Sequence, residues 1–595
     1  MRTIAAGDWR YRIAQLVFAA PAYRYTLGGR AMKLRHGFDI LACAPPDPWP
    51  GQAARGAAIL KGEFEFFGRV AGGARHTWHP IGMSERWLGE LHSFEWLRDL
   101  RALGGDAARR KARELTADWL RREASWHRLS WQPDILGHRV FACLGSYDFF
   151  CASATDAFKA LYLSGLGRQG RHLARALPAG VRGEPALAAV KGLIAAGLAL
   201  KGHEKWAGQG LALLGPQIEG QVLADGGHVS RNPTLQLAVL QHLIDIRATL
   251  SAAGWDTPAT LMSAIDRAAP FVRMLRHGDG GMALFNGSGE GLAWLVDMML
   301  SQADARGRPP NSAPHSGFQR LVANRAVMLF DVGVPRDTDG RAGVHAGTHA
   351  STLSFELSIG KDRVIVNCGS LANGDEDWTE VERATAAHST LIVEDTNSSP
   401  IGHGTRHPVA PVVAHNRNES VGNLWLSGTH DGYVARYGLR HRRRVYLASA
   451  GDDVRGEDAL IMMPDARPRG GWMAHTFKVR FHLHPTVRAH KDADGNIVIL
   501  RLPAGGTWRF RFDGGSVDIA EGIYLGAVGQ AMQAAKQIVV SGVTGAADGN
   551  NIVANIRWSL QRIAVAQSVA ADEMPVGSLQ TGDRDHARVA EDLFS

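Results

Sequence analysis

Three polar residues flank apolar runs between His345 and Thr390. His349 opens HASTLSFEL, Asn367 follows Val364-Ile365-Val366, and His388 lies in RATAAHSTLIV ahead of Leu391 to Val393. Two imidazoles and an amide oxygen form a mixed donor set for a borderline ion such as zinc, provided that a sheet brings the three segments side by side, with Arg383 nearby. The set has no carboxylate to offset a dication, so a weak zinc site, or water in its place, is the expectation. A second group suits proton transfer and anion recognition: His228, Arg231 and Asn232 after Asp225-Gly226-Gly227, His345 in a glycine-rich loop, and Tyr433 and Tyr437 in THDGYVARYGLRHRRR. Removing a proton beside a carboxylate needs a group that neutralises the carboxylate, a base, and an acid for the leaving oxygen. Arg, Asn, His and Tyr supply all three. Each also has a structural reading: Asn232-Pro233 suits a helix start with Asn as the cap, and the tyrosines suit a sandwich. Asp225 and Asp279 are a further carboxylate pair for glycosidic hydrolysis, although His277 to Gly281 also reads as a tight turn.

Secondary structure must position these groups, and the apolar period changes once along the 595 residues. Over residues 84–303, Leu187, Val190, Ile194 and Leu198, then Leu235, Val239, Leu243, Ile246 and Leu250, recur at helical spacing and predict amphipathic helices. The breakers Pro178-Ala179-Gly180, Lys201-Gly202 and Asp225-Gly226-Gly227 punctuate them as stacked hairpins. DARGRPPNSAPH, residues 304–315, predicts a linker. Beyond it Leu353, Phe355 and Leu357 alternate, as do Phe477, Val479, Phe481 and Leu483, and Trp508, Phe510 and Phe512. With Asp-Gly turns between them, these runs predict a large antiparallel β-sandwich over residues 316–571. Residues 1–83 read as an extension packing on the helical half, and 572–595 as a fraying tail. Eleven of the sixteen tryptophans lie between Trp9 and Trp294, placed either to fill the core between helices or to stack on sugar rings in a cleft.

Composition narrows the function classes. Sixty-six Lys plus Arg against 58 Asp plus Glu leave a formal charge of +8, mild for this length, and no apolar run approaches the ~18 residues that would span a bilayer. The densest basic run, Arg440 to Arg444, reads as a solvated strand edge, so nucleic acid is not an expected partner. Cys43, Cys143, Cys151 and Cys368 are scattered, without a C-x-x-C pair, which argues against a disulfide framework. Phosphate-loop, H-E-x-x-H and G-x-S-x-G motifs are absent, and no organic cofactor is expected. Ile13 to Ala20 is too short, and too interrupted by Gln15, for a secretory apolar region. That favours the cytoplasm, with the periplasm as the alternative.

The lone histidine before A-x-x-L-S-F-E-L, the strand ending in V-N-C-G and the run R-x-T-A-A-H-S-T-L-I-V together resemble the C-terminal domain of the heparinase II/III family of polysaccharide lyases. The resemblance spans about residues 85 to 560. It implies an N-terminal (α/α) toroid of helical hairpins followed by an antiparallel β-sandwich, and β-elimination of an acidic, uronic-acid-containing polysaccharide in the cleft between them. It also implies a structural zinc, with His349, Asn367 and His388 at the ligand positions. Departures from the family pattern are specific. Gly347 stands where the family has its first sandwich histidine, Ser351 replaces an acidic residue, and Asn367 replaces an aspartate ligand. Glu184-Pro185 occupies the place of a catalytic Asn-His pair, and Asn232-Pro233-Thr234-Leu235-Gln236 that of a catalytic tyrosine. The first expectation is therefore a divergent lyase using His345, His228, Arg231, Asn232 and Tyr433. A catalytically silent glycan-binding or structural protein on the same scaffold is the second, and a hydrolase using Asp225 and Asp279 the third.

Overall fold

The computed structural model describes residues 9–20, 22–23, 41–72, 78–179, 181–336, 348–371, 376–401, 410–466, 473–529 and 532–563. Helices dominate to Ala303 and strands follow from Ser312 to Ile563. The expected switch from helical to strand period is thus the architecture itself.

At the centre of the toroid lies the helix Glu184–Ala199, started by Pro185 in its first turn. Its predicted apolar stripe is wider than an amphipathic helix allows, because every residue from Ala186 to Ala199 is buried. Small residues make that possible. A Cβ on Gly137 would stand 2.2 Å from the Ala188 carbonyl oxygen, and one on Gly197 2.3 Å from the Ala207 nitrogen, so the helices Pro133–Gly145 and Glu204–Gln221 approach at backbone distance. The helix Pro233–Ala252 packs on the same core and buries Val239, Leu243, Ile246 and Leu250. Trp49, Trp78, Trp87, Trp96, Trp119, Trp131 and Trp206 are buried, which favours the core reading of the tryptophans, whereas Trp294 is exposed. The described part of the N-terminal extension packs on the toroid: the helix Ala53–Leu60 lies on Leu97–Leu103, and Leu41 bridges to Leu200.

Two antiparallel sheets form the second half. One runs in the order Arg488–Lys491, Ile497–Arg501, Thr507–Asp513, Ile552–Ile563, Asp453–Met462, Leu439–Leu447, Asn423–His430, Val413–Ser420. The other carries Phe355–Ile359 beside Asp362–Val366 and Thr476–Leu483, with Leu391–Val393 paired to the last of these. Their facing sides enclose one core that includes Phe355, Phe481, Phe510 and Trp558. The predicted linker is shorter than its sequence suggests, since Ser312–Ala313 already pairs with Phe318–Ala323. The stretch read as the strand HASTLSFEL begins pairing only at Phe355; His349 lies in the loop ahead of it, and Leu353 turns the chain at φ +61°. Arg440 to Arg444 is no solvated edge. Leu439–Leu447 is an inner strand whose His441 and Arg443 point into the protein onto Asp458, while Arg442 and Arg444 share Glu457 on the other face. The predicted tail lies outside the described residues.

Candidate functional site

Along the seam between toroid and sandwich, three of the residues proposed for chemistry, Arg231, Asp225 and Asp279, are committed to holding the two halves together. Arg231 adopts φ +61° and is 3% exposed. Its Nε donates to the Ser316 carbonyl at 2.6 Å, its Nη1 to that of Val334 at 3.3 Å, and its Nη2 to that of Gly317 at 3.4 Å and to the buried Asp331 carboxylate. The guanidinium also lies over the Phe318 ring, 4.9 Å from its centroid. A cation so enclosed does not neutralise a polysaccharide carboxylate. Asn232 is the cap of Pro233–Ala252: its Oδ1 accepts from Thr234 and Leu235, and its Nδ2 donates to the Asn286 carbonyl at 2.7 Å. Asp225 accepts from the backbone and hydroxyl of Ser316, both at 2.7 Å, and Asp279 accepts from Arg363 at 2.7 Å, so both hydrolase candidates are joints of the seam as well. Tyr433 is fully buried in the sandwich core and donates to the Leu391 carbonyl at 2.9 Å. Burial drives its phenol well above the usual range. Tyr437 shares a 2.6 Å hydrogen bond with Thr396. His345 and Gly347 lie outside the described residues.

His228 keeps chemical capacity. Its Nδ1 meets the Ser230 hydroxyl at 2.6 Å, while Nε2 is buried without a hydrogen-bond partner. Burial lowers its pKa to about 4 against the opposing charge of Glu184, leaving a neutral imidazole at pH 7.

The sandwich histidines do meet. The rings of His349 and His388 pack edge to face with centroids 5.6 Å apart, and Nδ1 of His349 and both nitrogens of His388 lack hydrogen-bond partners. Burial lowers His349 to about 3, with Arg383 adding to it, and holds His388 well below its usual value. Asn367 sits beside them but is engaged: Nδ2 donates to Glu356 at 3.1 Å, and Oδ1 accepts from the Ser389 amide at 3.0 Å. Among the described residues no third His, Cys, Asp or Glu brings a ligand atom within 4.8 Å of both imidazoles. Two neutral imidazoles near a guanidinium, with no carboxylate, do not fit a dication.

Sequence reasoning missed a third cluster, inside the toroid. His138 on Pro133–Gly145, Glu184 at the start of Glu184–Ala199 and His242 on Pro233–Ala252 place one ligand atom each within 4.8 Å of the others. Glu184 Oε1 is 2.9 Å from His242 Nε2 and 3.9 Å from His138 Nε2; the other nitrogen of His138 faces Glu95 at 3.2 Å. Arg98 joins Glu95 to Asp47, and Lys191 pairs with Asp245 at 2.9 Å. Burial alone would raise Glu95, but His138 and Arg98 hold it well below the carboxylate range. The available signal was a histidine interrupting each of two apolar helical faces, ILGHRVF and VLQHLIDI.

The chain's similarities to known proteins agree with this geometry. Residues 75–301 match the Heparinase II/III N-terminus family and residues 305–565 the Heparinase II/III-like, C-terminal family. FtsZ-localized protein C of Caulobacter vibrioides (strain NA1000 / CB15N) is 34% identical over 538 residues, covering 88% of this chain and 90% of that protein. Among solved structures, heparinase III aligns with a TM-score of 0.70 at 15% identity, over 94% of this chain and 92% of that one. The heparan sulfate lyase HepC from Pedobacter heparinus aligns with a TM-score of 0.57 at 16% identity, over 94% and 91%. These structural likenesses establish the toroid-plus-sandwich fold. With its two halves matched in order by the family's two domains, the chain belongs to the heparinase II/III family.

Proposed function

We propose that this chain is a polysaccharide lyase that cleaves an acidic, uronic-acid-containing polysaccharide by β-elimination between toroid and sandwich. The observation that carries the reading is the presence, in order, of both halves of the lyase family's architecture. In this reading His228 is the described residue left to act on the substrate, as a donor: the Ser230 amide donates to Nδ1, so the neutral ring carries its proton on Nε2, where it suits the uronate carboxylate or the leaving oxygen. Arg231, Asn232 and Tyr433 take no part. The test is ultraviolet absorbance of the unsaturated uronate product over a panel of glycosaminoglycans, alginates and bacterial exopolysaccharides. Product whose formation falls at least about 100-fold in His228→Gln supports the assignment. No product from any uronate polymer refutes it.

A second reading is that the scaffold binds a glycan or organises partners without turnover. The commitment of Arg231, Asn232 and Tyr433 to structure favours it, as does a 34% identical relative named for localisation with FtsZ. Under this reading the chain localises with FtsZ and leaves oligosaccharides intact. A fluorescent fusion distributed independently of FtsZ would refute that localisation. A cytoplasmic position goes with this reading and a periplasmic one with the first, so the same fusion separates them. No helix among the described residues is long and apolar enough to cross a membrane.

A further inference from the structure

We propose that His138, Glu184 and His242 bind one divalent transition-metal ion of the zinc class inside the toroid. Three helices deliver the donors, so the packing of the toroid itself fixes their convergence. A tetrahedral ion with bonds of about 2.0–2.1 Å holds its donors about 3.3–3.4 Å apart. The observed separations from Glu184, 2.9 Å to His242 Nε2 and 3.9 Å to His138 Nε2, bracket that value, and shifts of about half an ångström in side chains satisfy it.

The orientation of His138 is the second, independent observation. Its residue is 7% exposed, and its Nε2 is buried without a hydrogen-bond partner. Glu95 faces Nδ1 at 3.2 Å and holds a proton there, which turns the Nε2 lone pair toward the Glu184 carboxylate. Two acceptors facing each other in a buried site repel unless a cation lies between them. Among the described residues, the carboxylates Asp47, Glu95, Glu184 and Asp245 and the cations Arg98, Arg101 and Lys191 surround the cluster. Two imidazoles and one carboxylate suit zinc or cobalt better than calcium, which takes oxygen ligands. Glu184 and Glu95 retain 12% and 28% of their side-chain surface, which leaves a path for an anionic ligand to the ion. On the lyase reading, that ion would bind the uronate carboxylate in place of the enclosed Arg231; ion binding itself does not depend on that reading.

The competing trio, His79, Glu123 and His127, is more exposed, and Nδ1 of His127 accepts from the Leu129 and Ser130 amides, placing its proton on the nitrogen an ion would need. It serves as a control. The full-length protein, stripped with chelator, is titrated with Co2+ by visible absorption and with Zn2+ by calorimetry. One equivalent with the intense absorption of low-coordinate cobalt is expected. Glu184→Gln and His138→Gln should each weaken it at least about 100-fold at unchanged circular dichroism, whereas His79→Ala and His388→Leu should retain it. If either glutamine variant misfolds, the other carries the comparison. No ion bound by the wild type overturns the site, and so does unaltered binding in a folded Glu184→Gln or His138→Gln. Ion binding without product from any uronate polymer supports the site and refutes only the lyase reading; product without ion binding does the reverse.

Discussion

Arg231→Ala should behave as a lesion of the seam rather than of catalysis. The substitution removes a guanidinium at the centre of three carbonyls and leaves Asp331, which is fully buried, without its counter-charge. Breaking a buried ion pair at one end costs about 3–5 kcal/mol, and the Gly333 amide at 3.1 Å and the Ser351 hydroxyl at 2.9 Å, which also serve Asp331, place this case near the lower end. For a unit of 150–250 residues such a loss lowers the unfolding midpoint by roughly 6–20 °C. The backbone sharpens the test. Position 231 sits at φ +61°, where a side chain costs about 1–2 kcal/mol relative to glycine, so Arg231→Gly should be more stable than Arg231→Ala by about 1 kcal/mol despite removing the same contacts. Urea unfolding followed by tryptophan fluorescence, beside the uronate assay, measures both. A wild-type unfolding midpoint for Arg231→Ala, combined with lost turnover, would refute the structural assignment and return Arg231 to the substrate.

Other substitutions probe neighbouring assignments. Asn232→Ala should cost at least about 1 kcal/mol through the lost helix cap and the lost bond to the Asn286 carbonyl, as read by urea midpoints; a wild-type midpoint would contradict the capping role. Burial raises the Glu382 carboxyl to about 7, against hydrogen bonds from Ser370 and Leu371 and the charges of Arg86 and Arg383. Because the folded state holds this proton above the unfolded value of 4.5, stability from this group is present below pH 4.5 and lost as pH rises through 7. Thermal melts across that window should flatten in Glu382→Gln, by about 2–3 kcal/mol at most; an unaltered pH profile would contradict the shift. His388→Leu should raise stability by about 1 kcal/mol, since it removes two buried nitrogens that have no partner, whereas a zinc ligand at that place would make it strongly destabilising.

How much of this was legible follows from the range of the forces involved. Period is local, so the helices before residue 304, the strands after it and the alternation of Thr476–Leu483 could be read from neighbours in sequence. Roles were not, because they depend on partners far away. Arg443 lies on the buried face of its strand through Asp458, and nothing within RHRRR announces that carboxylate. Asn232 carried two readings in one dipeptide, and the approach of Asn286 and the helix amides settled it as a cap.

The toroid cluster shows the same limit from the other side. His242 and Glu184 are 58 residues apart, and each looks like an interruption of, or a prelude to, an apolar helix. Only the crossing of three packed helices, with Gly137 and Gly192 bringing Pro133–Gly145 onto Glu184–Ala199 at backbone distance, turns those interruptions into neighbours. The seam fixes residues 225–232 against the sandwich through Asp225 and Arg231, which commits those two side chains to the joint. The toroid interior is closed by helix packing together with buried pairs such as Lys191–Asp245 and Arg98–Asp47, none of which belongs to that joint. Glu184 thus opens an apolar helix in the sequence and, once the chain is folded, faces His242 at 2.9 Å and His138 at 3.9 Å.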